Sequence, residues 1–288
     1  QLAVYIGWLL HGVPGGLVAG TLFVLPGYLA LLGLSIAYVS FHDVTWVAAA
    51  LFTLSSFSAF SIGAVIAPVV NIFRHSVMEA FLPSMSRLQA AGDQRAMLEM
   101  NARGNLMVAT LILPLLAFFF AFAEQIITVL YTSSYLAGAP VMRVYLVGLA
   151  LAVIEVHSVV LILRQGMYAI AVNCAMLVVT ILASWAFASQ WGLAGAACGS
   201  VLAFWIDRIL TLRRISRTAG VPLASLQDWR GLALAFFYAT LLAGAAWTLI
   251  QVLFPASPPL TQLVIAGAVL GMGYALIMKI GLLRQGLR

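Results

Sequence analysis

Glu155 is the residue with the most chemistry to offer. It stands in the apolar run Leu149-Ala-Leu-Ala-Val-Ile-Glu155-Val-His157, where an acid has no business unless it is used or neutralised. An ionised side chain at the centre of a bilayer costs at least roughly 2.5–3.5 kcal/mol. Two readings of Glu155 stand side by side. It is a protonation site or cation contact in a water-filled cavity, or it is a neutral acid hydrogen-bonded to a neighbouring helix. His157 follows two residues later, about 200° away on a continuous helix, which argues against direct pairing. Arg143, near one end of the same apolar stretch, fits either an anionic group such as a lipid pyrophosphate or the headgroup layer to which it would snorkel. Asn71 and Asn173 can bridge helices by hydrogen bonding. The set holds no Ser-His-Asp arrangement, no paired histidines at metal spacing and no glycine-rich phosphate loop ahead of a helix. No catalytic residue, metal or cofactor is therefore expected, and the protein reads as something other than an enzyme.

What must position these groups follows from composition. Of 288 residues, 64% are hydrophobic and 8% charged, against about 25% charged in a soluble domain. So few charges cannot cover a soluble surface of this size, which excludes a soluble enzyme, a nucleic-acid-binding domain and a disordered chain. The expected fold is all-α, a polytopic transmembrane helical bundle of about eight spans. The apolar stretches run over 15–40, 45–73, 104–123, 140–163, 166–188, 193–212, 231–254 and 260–283.

The net charge of +6 comes from 14 basic and 8 acidic residues, and its placement tests the division. Arg74, Arg87, Arg95 and Arg103 fall between the second and third stretches, Arg164 between the fourth and fifth, and Arg208 to Arg230 around the sixth and seventh. The alternate connections hold almost no basic residue, with Arg143 the exception. Basic loops stay in the cytoplasm, so both termini are expected there and Asp207-Arg208 anchors the inner end of the sixth span. No nucleic-acid partner is implied; the partner is membrane lipid.

Within 74–103, Met78, Phe81, Leu82, Met85 and Leu88 recur at helical spacing, which predicts an amphipathic helix on the inner membrane surface. Gly92-Asp93 ends it, with Asp93 capping the next turn. Small residues gather at Gly192, Gly195 and Gly199 and again at Gly267 and Gly271, as helix-packing faces require. Cys174 and Cys198 are expected to be apolar packing residues, and Pro26, Pro68 and Pro114 to bend helices.

Two family resemblances then emerge. Residues 1–54, with Gly15-Gly16-Leu-Val-Ala-Gly20 and Phe23-Val-Leu-Pro26-Gly27, resemble the first part of the chromate ion transporter family. That resemblance implies oxyanion export. From residue 57 to 288, and most clearly over 70–220, the chain resembles the C-terminal half of the multidrug/oligosaccharidyl-lipid/polysaccharide flippases. The motifs, in order, are Pro83 with Gly92-Asp93, Pro114, Glu124-Gln-Ile-Ile-Thr-Val-Leu-Tyr131, Tyr135, Ala137-Gly-Ala139 and Trp191-Gly192-Leu-Ala-Gly195-Ala-Ala197. Thr132 stands where that family usually has glycine.

The expectation is a chromate-transporter-like segment over 1–54 and a flippase-like helical lobe over 55–288. The flippase resemblance implies a lipid-linked oligosaccharide or polysaccharide precursor as substrate, moved across the bacterial inner membrane by alternating access. It also implies a second lobe or a homodimer to complete the cavity. Chromate or oxyanion transport is the alternative within transport; a non-transporting membrane scaffold subunit is the alternative outside it.

Overall fold

The structure is a computed structural model that describes residues 66–286. The expected span 15–40, most of 45–73, the segment 1–54, and Pro26 lie outside the described residues. Among the described residues, eight helices follow in chain order: α1 (Ile66–Ala90), α2 (Gln94–Ala121), α3 (Ala123–Leu130), α4 (Ala139–Ala152), α5 (His157–Ile162), α6 (Gly166–Ala219), α7 (Trp229–Leu253) and α8 (Pro259–Gly286). Short 3₁₀ turns at Ser133–Gly138 and Leu223–Ser225 complete the path, and among the described residues there is no strand. Thr132 has an extended backbone (φ 164°) that any residue adopts, so the absence of glycine there has no conformational cost.

Among the described residues, five segments are long and apolar enough to cross a membrane: Gln94–Ala121, Ser133–Ala152, Gly166–Ala219, Trp229–Leu253 and Pro259–Ile277. The protein is an all-α membrane protein. α6 has 54 residues, about 81 Å if straight, far beyond the roughly 30 Å hydrocarbon layer. It resolves that excess by folding back at Gly192, whose φ of 59° and ψ of −137° are open to glycine. The arms 166–191 and 193–219 run antiparallel. The Ser184 hydroxyl donates to the Ala196 carbonyl at 2.9 Å, Tyr168 donates to the Leu210 carbonyl at 3.1 Å, and Arg214 donates to Gln165 at 2.7 and 3.0 Å. The two expected spans 166–188 and 193–212 are these arms.

The arms touch because their facing residues are small. A Cβ on Gly195 would overlap the Phe187 carbonyl, and one on Gly199 would overlap the Ser184 backbone. Gly267 and Gly271 in α8 are placed differently. A Cβ on Gly267 would make ordinary contact with Phe118, and one on Gly271 would meet nothing within 4 Å. Cys174 is exposed rather than packed, and Cys198 is half-buried.

α1 and α2 form a second hairpin. Gly92 takes φ 80°, the Asp93 N–H bonds the Leu88 carbonyl, and the Asp93 carboxylate accepts from the Ala96 N–H at 3.0 Å. The amphipathic face of α1 is real, but it packs on protein rather than on the membrane surface. Met78 and Met85 are buried, and Gly104 of α2 lets the Met78 sulfur approach its backbone. Val108, Ile112 and Leu116 of α2, at one face of the helix, pack with Leu146 of α4, Ala239, Ala246 and Ile250 of α7 and Ala266 of α8. A second cluster of Met85, Met97, Val156, Val159, Leu212 and Leu226 closes the end of the bundle where the basic connections meet.

Candidate functional site

The expected span 140–163 is not one helix. α4 ends at Ala152, and 153–156 separates it from α5, which starts at His157. The local cause is the run Val153-Ile154-Glu155-Val156, whose β-branched side chains weaken helix propensity. A broken helix in a membrane bundle leaves backbone groups that must find partners inside the protein. Here α2 supplies them. The Glu155 N–H donates to Asn105 Oδ1 at 3.0 Å, and the Glu155 carbonyl accepts from Asn101 Nδ2 at 3.2 Å and Asn105 Nδ2 at 3.1 Å. Asn101 and Asn105 are four residues apart and so share a helix face. Asn105 Nδ2 also donates to Gln227 Oε1 at 3.0 Å, which ties the connection before α7 to the same point.

The Glu155 side chain organises the rest. Its Oε1 accepts from the backbone N–H of His157 at 2.7 Å and of Ser158 at 3.3 Å, capping α5. Its Oε2 accepts from Arg74 Nη1 in an ion pair where both side chains are nearly inaccessible. Arg74 Nη2 donates to Asn71 Oδ1 at 3.3 Å, so the expected site residue Asn71 joins the cluster through Arg74. His157 Nδ1 lies 3.7 Å from Glu155 Oε1. The helical argument that separated those two side chains fails because the chain breaks between them.

Arg208 is the anomaly. It is 1% exposed, and its Nε and Nη1 have no hydrogen-bond partner. It stacks over the Phe204 ring at 4.8 Å and is close enough to feel the charges of Glu155, Asp207 and Arg74. The sequence assigns Asp207-Arg208 to the interface as an anchor; the structure buries both. Buried guanidinium N–H groups without an acceptor are rare in folded proteins and call for an explanation.

Two expected residues stand outside this cluster. Asn173 is exposed on the first arm of α6. Arg143 belongs to the opposite end of the bundle, where its Nη2 donates to Glu124 Oε1 at 3.1 Å and its Nε donates to the Phe120 carbonyl at 3.3 Å. Sequence reasoning missed Arg74, Asn101, Asn105, Arg208 and Gln227 as site residues. Only Asn101 and Asn105 left a signal, two amides at a spacing of four just before an apolar run.

Comparison with known proteins follows this geometry. The family model described as Lipid II flippase MurJ matches residues 21–266. That match begins inside the stretch whose motifs resemble chromate transporters, earlier than the expected residue 57. The chain is also 44% identical over 46 residues to the chromate transport protein of Cupriavidus metallidurans, a likeness that covers 16% of this chain and 12% of that relative. No solved structure matches the chain.

Proposed function

Since the chain belongs to the lipid II flippase MurJ family, we propose that it forms one lobe of a transporter for a lipid-linked glycan precursor in the bacterial inner membrane, with both termini cytoplasmic. In this reading the Arg74–Glu155–Arg208 cluster receives the anionic group that joins lipid to sugar. The observation that carries it is Arg208, a fully buried cation with two nitrogens lacking acceptors. An arriving phosphate would supply a missing acceptor on either edge of the guanidinium, whose Nε–H and Nη1–H point to different sides.

The break at 153–156 supports the same reading. Transporters place interrupted helices at their substrate sites, and short unwound segments between helices act as hinges when one bundle rocks against another. Glu155 is at the centre of that break, bonded to α1 through Arg74 and to α2 through two asparagines. A group that competes for Arg74 would loosen α1 from the hinge. A scaffold would have filled this place with apolar side chains; Arg74, Glu155, Asp207 and Arg208 are buried there instead. Between the two transport readings the extent of likeness favours the first, with residues 21–266 matching the flippase family against 46 residues for the chromate relative. No bond-making step enters this function.

One lobe encloses half a cavity, so a second lobe or a second copy of the chain completes the path in this reading. The test is flipping of a fluorescent lipid-linked precursor in proteoliposomes that hold the full chain with its completing lobe. Arg208→Gln is expected to slow flipping by roughly tenfold or more, the worth of one charged hydrogen bond. Arg230→Gln removes an exposed charge in the first turn of α7 and is expected to leave the rate unchanged. An Arg208→Gln protein that stays folded and flips at the original rate sinks the assignment.

A further inference from the structure

A groove of about 520 Å³ runs between α2, α4 and α7, away from the cluster around Glu155. Its walls are apolar, including Leu113, Leu146, Val147, Phe236 and Trp247. Thr240 also lines it, but its hydroxyl donates to the Phe236 and Phe237 carbonyls of its own helix at 2.9 and 3.0 Å. Apart from Arg143 and the indole N–H of Trp247, the walls offer hydrocarbon, and an acyl chain suits them. Arg143 is the charged residue of the lining, and its partner Glu124 is half exposed beside it.

That pair is a cation and an anion presented together. Arg143 commits Nε to the Phe120 carbonyl and Nη2 to Glu124 Oε1. A guanidinium has five N–H groups, so others remain for a phosphate. Glu124 commits one oxygen to Arg143, and the other remains for a donor. A headgroup that carries a phosphate and a primary ammonium complements both charges. A choline headgroup brings the phosphate but no N–H for the carboxylate. A glycerol headgroup brings no cation, and its net negative charge faces Glu124.

We propose that this groove is a binding site for an ethanolamine phospholipid, its chain between α2, α4 and α7, its phosphate on Arg143 and its ammonium on Glu124. The site is separate from the substrate cluster and does not depend on the flippase reading. It adds a lipid bridge among α7, α2 and α4 beside the direct packing of α7 on α2, in the leaflet at the end of the bundle opposite the basic connections.

Trp247 lines the groove and serves as the reporter. The full chain is reconstituted with phospholipids whose chains are dibrominated, which quench tryptophan on contact. Subtracting the signal of a Trp247→Phe protein isolates Trp247 from the other tryptophans. Wild type is expected to bind the ethanolamine lipid roughly two- to fivefold more tightly than the choline lipid, the range of a partly exposed ion pair. The glycerol lipid is expected to show no advantage over choline. Glu124→Gln is expected to abolish the ethanolamine preference, and Glu124→Asp, which keeps the carboxylate, to retain it. Equal quenching by ethanolamine and choline lipids overturns the proposal, as does a preference that survives Glu124→Gln, a preference for the glycerol lipid, or no quenching of Trp247 at all.

Discussion

Asn105 shows how one side chain holds a discontinuity in place. Its amide oxygen accepts from the Glu155 N–H, and its nitrogen donates to the Glu155 carbonyl and to Gln227. Replacing it by leucine leaves the Glu155 N–H and the Gln227 side-chain oxygen without these partners, while the Glu155 carbonyl keeps only Asn101. Leaving a buried polar group unpaired costs about 1–3 kcal/mol, so Asn105→Leu is expected to lower the unfolding temperature in detergent well beyond the effect of Asn173→Leu, whose side chain is exposed. Equal shifts in the two variants would show that the asparagine bridge contributes little. Glu155 was legible in the sequence because an acid in an apolar run is expensive. Its partners were not. Arg74 reads as one more basic loop residue, and Arg208 as an interfacial anchor, because charge counting places residues along the chain and is blind to which side chain turns inward. The relation of Glu155 to His157 was misjudged for a different reason: helical geometry was applied across a point where the helix stops.

At the level of elements, hydropathy located the spans well, since a window of about 20 apolar residues is what a bilayer demands. It could not detect the break at 153–156, because Val-Ile-Glu-Val is as apolar as the helices around it and its interruption lies in backbone geometry. The glycine faces separate in the same way. Gly195 and Gly271 share a spacing pattern with a partner glycine four residues away, yet one faces the backbone of the opposing arm and the other faces open space. Gly195→Ala is expected to push the arms of α6 apart and destabilise the protein by about 1–3 kcal/mol, the usual result of overpacking. Gly271→Ala is expected to stabilise α8 by about 0.5–1 kcal/mol, as alanine does in an open helix position. Thermal unfolding of both variants side by side checks the pair; a loss at Gly271 matching that at Gly195 would mean that α8 has a close neighbour.

At the scale of the whole molecule, the two ends of the bundle differ in kind. One end joins Met85, Met97, Leu212 and Leu226 beneath a rim of arginines, and the charged cluster is built into it. The other end carries the Arg143–Glu124 pair and the mouth of the apolar groove. Leu177, Ile181, Leu182 and Trp185 on the first arm of α6 are all largely exposed, a broad apolar face for lipid or for a completing lobe. If the chain is one lobe, chain held strictly monomeric in proteoliposomes is expected to flip no precursor, and activity is expected to appear only with the second lobe or in a cross-linked pair. Light scattering on the reconstituted sample alongside the flipping assay decides this, and an active monomer refutes the half-cavity argument.

The reversal at Gly192 also bears on how the protein enters the bilayer during synthesis. Residues 189–192, Ser-Gln-Trp-Gly, carry no charge, so the tip of the α6 hairpin can be driven through the hydrocarbon without dragging an ion across. The arginines at 213, 214 and 217 sit at the trailing end of the second arm, and basic residues resist crossing, so such a hairpin would keep them on the side of entry. The first arm therefore need not settle as a separate insertion event that later waits for its partner. If the arms insert as one hairpin, the Ser184–Ala196 bond is within reach across them as the tip crosses.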